Sequence, residues 1–321
     1  MVHGFDPSRR NFCLCCLGAT AFAASGGWLS PREVFAKSKT IVDMIRQSAA
    51  ETPITVHPLR GGLFVLEGSG GNIGVFAGRD GKLLVDAGIS ASKPRIEKAL
   101  LAMDETPVSR LVNTHWHFDH ADGNEWLGKA GATISGTLKT QDHLESAQRV
   151  EDWNFDFPPS PASAVPAEIV EDGSTLAFGG KTLHFVGHPA AHTDGDISIT
   201  FEDDDVVHAG DVYWNGIYPF IDYSTGGGID GMIRGSEAIL ASAGDRTIII
   251  PGHGQPVSNR RELQAYRDML VSIRDAVAGL KAKGQSFDEI VAAKPTAPFD
   301  AKWGQYVIGP DFITRLVYEG V

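Results

Sequence analysis

Seven candidate metal ligands stand in four separate stretches of this chain, and a fold that uses them together must bring four loops to one point. The run Thr114-His115-Trp116-His117-Phe118-Asp119-His120 carries four of them. His192 stands in Ala191-His192-Thr193-Asp194-Gly195-Asp196, Asp211 in Ala209-Gly210-Asp211 and His253 in Pro251-Gly252-His253-Gly254. His115 and His117, two apart at a strand end, can turn both imidazoles toward one cation. Asp119 and His120 then offer an oxygen and a nitrogen to a neighbouring cation. His192 completes three histidines on the first ion, His253 joins Asp119 and His120 on the second, and the two oxygens of Asp211 can bridge both. Imidazole and carboxylate without thiolate fit zinc, and also manganese or iron. Two such ions about 3.5–4 Å apart can hold a bridging hydroxide and bring the pKa of bound water toward about 7. That chemistry yields a nucleophile without a serine or cysteine. The other histidines (His3, His57, His143, His184, His188 and His208) are read as structural, with His188, four residues before His192, the nearest to a supporting role.

The surrounding pattern is α/β. Short apolar runs at Ile54–Leu59, Gly62–Glu67, Asn72–Ala77 and Lys82–Asp86, separated by glycine-rich turns, predict a β-meander. Helical spacing follows at Pro94–Met103, then a buried strand at Leu111–Thr114 that delivers the histidine run. Helices are expected at Asn124–Lys129 and Leu138–Val150 around a strand at Ala132–Ser135, and residues 151–166 read as a proline-rich loop bearing Trp153, Phe155 and Phe157. The second half predicts strands at Lys181–Val186, Asp196–Phe201, Val206–Ala209 and Thr247–Ile250, with helices at Ile229–Ala243 and Leu263–Lys281. Two β/α halves imply two sheets face to face with helices outside.

The ordered set HxHxDH, AHTxGD, GD and GHG resembles the metallo-β-lactamase-fold hydrolase superfamily, and the likeness extends over roughly residues 54–256. Leu84-Val85-Asp86-Ala87-Gly88 resembles the family's first motif, in which the aspartate supports the histidine loop. The resemblance implies an αβ/βα four-layer sandwich with the metals at one edge between the sheets. It implies His115, His117 and His192 on the first metal, Asp119, His120 and His253 on the second, Asp211 as the bridge, and Asp119 also as a group that orients the nucleophile or passes a proton. Aspartate at 211 is closer to glyoxalase II, lactonases and phosphotriesterases than to zinc β-lactamases, which often carry cysteine or serine near that point.

Ser8-Arg9-Arg10-Asn11-Phe12 ahead of an apolar run to Ala24, followed by Val34-Phe35-Ala36, resembles a twin-arginine export signal with cleavage after Ala36. On this reading residues 1–36 are a signal and 37–321 a single hydrolase domain with C-terminal helices, periplasmic or secreted, with no stable membrane span after signal removal. All three cysteines (Cys13, Cys15 and Cys16) fall inside that leader, so the remainder has no disulfide and no thiolate ligand. A net charge of -12 argues against a general nucleic-acid binder.

The expected activity is hydrolysis of a small ester, lactone or amide, β-lactams included, by a hydroxide on two zinc ions. The loop after Asp211 carries Tyr213, Trp214, Tyr218, Phe220 and Tyr223, read either as a substrate wall or as loop packing, and Asn215, Tyr213 or Tyr218 are candidate donors to a developing oxyanion. Gly68–Gly71 is a candidate flap and Trp153–Phe157 a candidate third wall. Glutathione thioesters are disfavoured, since no Lys/Arg cluster stands in the loop after Asp211. Two other classes compete: a mononuclear iron oxidoreductase of persulfide-dioxygenase type, which a complete second site argues against, and a non-catalytic metal-binding protein.

Overall fold

The computed structural model describes residues 41–321, so the expected export signal, the three cysteines and the expected cleavage after Ala36 lie outside the described residues. Helix α1 (Ile41–Glu51) precedes four antiparallel strands, β1 (Thr55–Pro58), β2 (Leu63–Glu67), β3 (Ile73–Gly78) and β4 (Gly81–Val85). Helix α2 (Lys93–Met103) crosses to β5 (Val108–Val112), parallel to β4. Helices α3 (Phe118–Ala121) and α4 (Asn124–Lys129) lead to β6 (Thr133–Gly136), parallel to β5. Then come α5 (Leu138–Glu145), the hairpin β7 (Gln148–Val150) and β8 (Phe155–Phe157), and β9 (Glu168–Ile169). The first sheet runs β1-β2-β3-β4-β5-β6-β9.

The second half continues with β10 (Thr175–Phe178), β11 (Lys181–Gly187), β12 (Ile197–Phe201), β13 (Val206–His208) and β14 (Trp214–Asn215), then α6 (Ile229–Ser242) and β15 (Ile248–Ile250), parallel to β13. It closes with β16 (His253–Gly254), β17 (Ser258–Asn259), α7 (Arg260–Lys281), α8 (Phe287–Ala293), α9 (Asp300–Trp303) and α10 (Pro310–Glu319). Its sheet runs β10-β11-β12-β13-β15-β17.

The sheets face each other. Val65, Phe76, Leu83 and Val85 of the first interdigitate with Phe185, Ile199, Phe201 and Ile250 of the second, all buried. Each such side chain contributes roughly 1.5–3 kcal/mol on leaving water. The outer face of the first sheet is covered by Ile96 and Leu100 of α2 and Leu127 of α4. The outer face of the second, at Val207 and Ile249, is covered by α6, α7 and α10. Helix, sheet, sheet and helix make the expected four layers.

Three local readings need correction. Helix α5 stops at Glu145 instead of Val150, because Ser146 turns extended and Gln148–Val150 pairs with Phe155–Phe157. The proline-rich stretch is therefore partly a hairpin. Strand β10 and helix α1 were not anticipated. The first is four residues long, and the second follows the leader with only Val42, Ile45 and Ala49 turned inward, at i, i+3 and i+7.

Candidate metal centre

The ligand-bearing loops leave the C-terminal ends of strands. His115–His120 follow β5, Asp211 follows β13 and His253 follows β15, while His192 stands in the β11–β12 connection. Parallel neighbours end at one sheet edge, which is how distant motifs converge. All seven expected ligands meet there, in three groups: His115, His117 and His192; His115, His120 and Asp211; and Asp119, His120 and His253, the ligand atoms of each group lying within 4.8 Å of one another. Asp211 joins the groups, with Oδ1 3.1 Å from His120 Nε2 and Oδ2 3.3 Å from both His192 Nε2 and His253 Nε2. His253 Nε2 also lies 3.1 Å from Asp119 Oδ2.

The far nitrogens fix which atoms face inward. His117 Nε2 donates to Asp222 at 2.9 Å, His192 Nδ1 to the Phe220 carbonyl at 2.9 Å, and His120 Nδ1 to Asp86 at 2.8 Å. His115 Nδ1 donates to Thr114 Oγ1 at 3.0 Å, whose proton goes on to Asp86 at 2.8 Å. Those bonds leave His117 Nδ1 and His192 Nε2 as two lone pairs 2.8 Å apart. Two acceptors at that distance repel unless a positive charge stands between them. His115 Nε2 is buried with no partner, and Asp211 Oδ1 is buried with no aligned hydrogen bond. The donor set therefore fits divalent cations, with orienting partners of the kind metal-bound histidines use.

The electrostatics agree. Burial, and then the neighbouring His120, hold His115 well below the usual imidazole range; burial takes His192 to about 4. Both are thus neutral ligands. Burial also opposes charge on His120 and His253, but Asp211 and Asp119 outweigh it, raising His120 well above its ordinary value and His253 to about 9. Burial works against the carboxylates as well, yet the histidines hold Asp211 well below the usual range and Asp119 at about 2. The cluster demands positive charge, which protons satisfy when no cation does; metal binding would release them.

Asp86 takes φ +66°, the left-handed region that asparagine and aspartate tolerate best. Its carboxylate accepts from the Thr114 backbone at 2.7 Å, from Thr114 Oγ1 and from His120. It does support the histidine loop. Two glycines let backbone approach the ligands: a Cβ at Gly71 would overlap the His120 ring, and one at Gly252 would overlap Asp211 Oδ1. The Gly68–Gly71 turn is accordingly seated on the cluster, with Gly71 N–H donating to the Asp119 carbonyl at 3.1 Å.

A cavity of about 310 Å³ opens from Asp119 and His253. Trp153, Trp214, Tyr218 and Phe220 line it, so part of the aromatic loop is wall, as is Trp153; Tyr213 instead packs inward and bonds Ser258 at 2.8 Å. The polar ends of Tyr218 and Asn215 have partners of their own. The Tyr218 hydroxyl donates to Asp300 at 2.9 Å, and both Asn215 amide protons point to Gln255 and Glu262 at 3.3 Å. Those donors are committed to the C-terminal helices and the loop before α7.

Sequence reading missed Asp222, Asn72 and His208. Asp222, fully buried, has no local motif and lies 105 residues from the His117 it orients. Asn72 holds the loop before His253, bonding the Pro251 and Gly252 carbonyls, and accepts at its own carbonyl from His208. The only signal for either was an asparagine in a glycine-rich turn and a histidine at a strand end. His188 bonds Ser198 at 2.8 Å and lies outside all three ligand groups.

The family model described as the metallo-beta-lactamase superfamily matches residues 66–279. The chain belongs to that superfamily. A hydroxyacylglutathione hydrolase from Hyphomonas neptunium is 30% identical over 105 residues, 32% of this chain and 33% of that protein, so the match spans about a third of the relative. Among solved structures, the metallo-beta-lactamase IND-7 has a TM-score of 0.56 at 17% identity, covering 68% of this chain and 97% of its own. The sec-alkylsulfatase Pisa1 from Pseudomonas sp. reaches 0.63 at 16% identity, covering 94% of this chain and 54% of its own. The His/Asp groups at the sheet edge could hold divalent metal ions, as the superfamily's sites do. Among the described residues, no helix is long and apolar enough to cross a membrane.

Proposed function

We propose that the chain is a two-zinc hydrolase of a small, uncharged carbonyl substrate: an ester, lactone or amide. The observation that carries this is the pair of ligand groups joined through Asp211, with opposed lone pairs on His117 and His192. Two zinc ions held there would supply Lewis acidity and acidify a bound water. The chain's own residues do the rest. Asp222, Asp86 and the Phe220 carbonyl keep the histidines in the tautomer that presents a lone pair. Asp119, half in the cluster and half in the cavity, is placed to hold or pass a proton between water and leaving group. Trp153, Phe220 and Trp214 exclude bulk water, with Trp214 against the His253 ring at 4.2 Å between centroids.

Glutathione thioesters fit less well, because no Lys or Arg is among the described residues lining the cavity. The N-terminal pattern supports an exported enzyme; paired Arg9→Lys and Arg10→Lys replacement, followed by cell fractionation, tests that part.

The deciding experiment is metal analysis of the mature protein, paired with turnover on esters, lactones, nitrocefin, a hydroxyacyl-glutathione and a secondary alkyl sulfate. About two zinc ions per chain with hydrolysis of a neutral carbonyl substrate is expected. A single iron with oxygen uptake and no hydrolysis, or tight metal without any turnover, would overturn the reading.

A further inference from the structure

All seven ligands fall within the residues that match the family, but part of the cavity's lining does not. Val42 and Ile45 of α1 close one side, and Val307 and Ile308, between α9 and α10, close another. Both pieces lie outside residues 66–279.

Helix α1 is a fixed wall. Val42 and Ala49 are fully buried, the Ala49 carbonyl accepts from Ser92 at 3.0 Å, and Arg46 pairs with Asp122 at 2.9 Å while lying over the Phe118 ring. Ile45, one turn on from Val42, is thereby held against the cavity. Across the opening, Val307 is 42% exposed, at the mouth. The titratable groups that face this space are Asp119 and His253, both at the cluster, and Glu67, which bonds His57 at 2.7 Å. Away from the cluster, a buried anionic tail against the apolar wall would find no Lys or Arg among the described lining residues, and an unpaired buried charge is strongly unfavourable. A hydrocarbon group would find Val42, Ile45, Phe118, Phe220 and Ile308.

We infer that this wall receives an uncharged alkyl or aryl group attached to the scissile carbonyl, and that Ile45 and Val307 set how large that group can be. The inference rests on the hydrolase reading for its carbonyl end; the wall itself can be read by binding alone.

The zinc-loaded mature protein is therefore tested in two ways. Calorimetry with butan-2-one and nonan-2-one, neutral carbonyl compounds that cannot be hydrolysed, should show binding that tightens by about threefold per added methylene. Hydrolysis of p-nitrophenyl acetate and octanoate should favour octanoate by at least about tenfold in kcat/KM. Ile45→Trp and Val307→Trp, each placing bulk into the space, should cut that octanoate-to-acetate ratio by about tenfold and abolish the gain for nonan-2-one. Val307 is exposed enough that its variant tests the wall even if Ile45→Trp fails to fold. Turnover without chain-length preference, unmoved by Val307→Trp, would overturn the wall and leave the hydrolase. Chain-length-dependent ketone binding without turnover of any ester would leave the wall and overturn the hydrolase. Equal binding of both ketones with no turnover would overturn both.

Discussion

The two halves of the metal cluster are built differently. His115, His117 and His192 are essentially inaccessible, and every far nitrogen is held by a buried oxygen. Asp119 and His253 keep 16% and 14% of their side chains exposed and face the cavity. The ring of His253 leans on Trp214, and its far nitrogen has no hydrogen-bond partner among the described residues. One half is a socket, determined before any ligand arrives. The other has only His120 so held, by Asp86, and turns Asp119 and His253 toward the cavity. Precision sits where the ion must be retained, and latitude where chemistry must move a proton.

The comparison can be broken by mutation. The largest effect is expected from His117→Ala. Turnover should fall by more than about 100-fold, since losing merely a supporting partner of a metal ligand costs about 10–100-fold. Near-normal rates in a metal-poor, folded protein would dissolve the distinction and the mechanism with it. Asp222→Ala removes the acceptor that orients His117 and should cost about 10–100-fold in zinc affinity or rate, read by competition with a chelating dye. His253→Ala should halve the zinc content measured by elemental analysis while leaving the His115–His117–His192 socket loaded; loss of both ions would mean that the halves are not separable.

Away from the cluster, an effect is expected on stability and not on turnover. Burial lowers the pKa of His188, on the approach to His192, from 6.5 to about 4. A folded-state value below the unfolded one means stability is fully present above pH 6.5 and lost as pH falls toward 4. The full loss would be about 3 kcal/mol. Denaturant melts should show that slope, and His188→Gln should flatten it.

The ligands were legible because each stands in a short motif whose chemistry needs few neighbours. Asp86 was legible through its motif alone, and the meander through alternation between glycine turns. What escaped were residues whose role exists only across long separations. Asp222 looks like any loop acid until β13 and β5 end side by side. Tyr218 and Asn215 stood beside a ligand in sequence, but the chain turns their polar ends toward Asp300 and Glu262. Adjacency along a chain says little about direction in a loop. Helix α1 escaped because three inward apolar residues give a weak period, although it builds a cavity wall.

The carboxylate of Asp86 reaches both halves, directly through His120 and by way of Thr114 through His115. One carboxylate thus steadies a ligand on each side of the cluster, so its loss would loosen the pre-set socket and the cavity-facing half together.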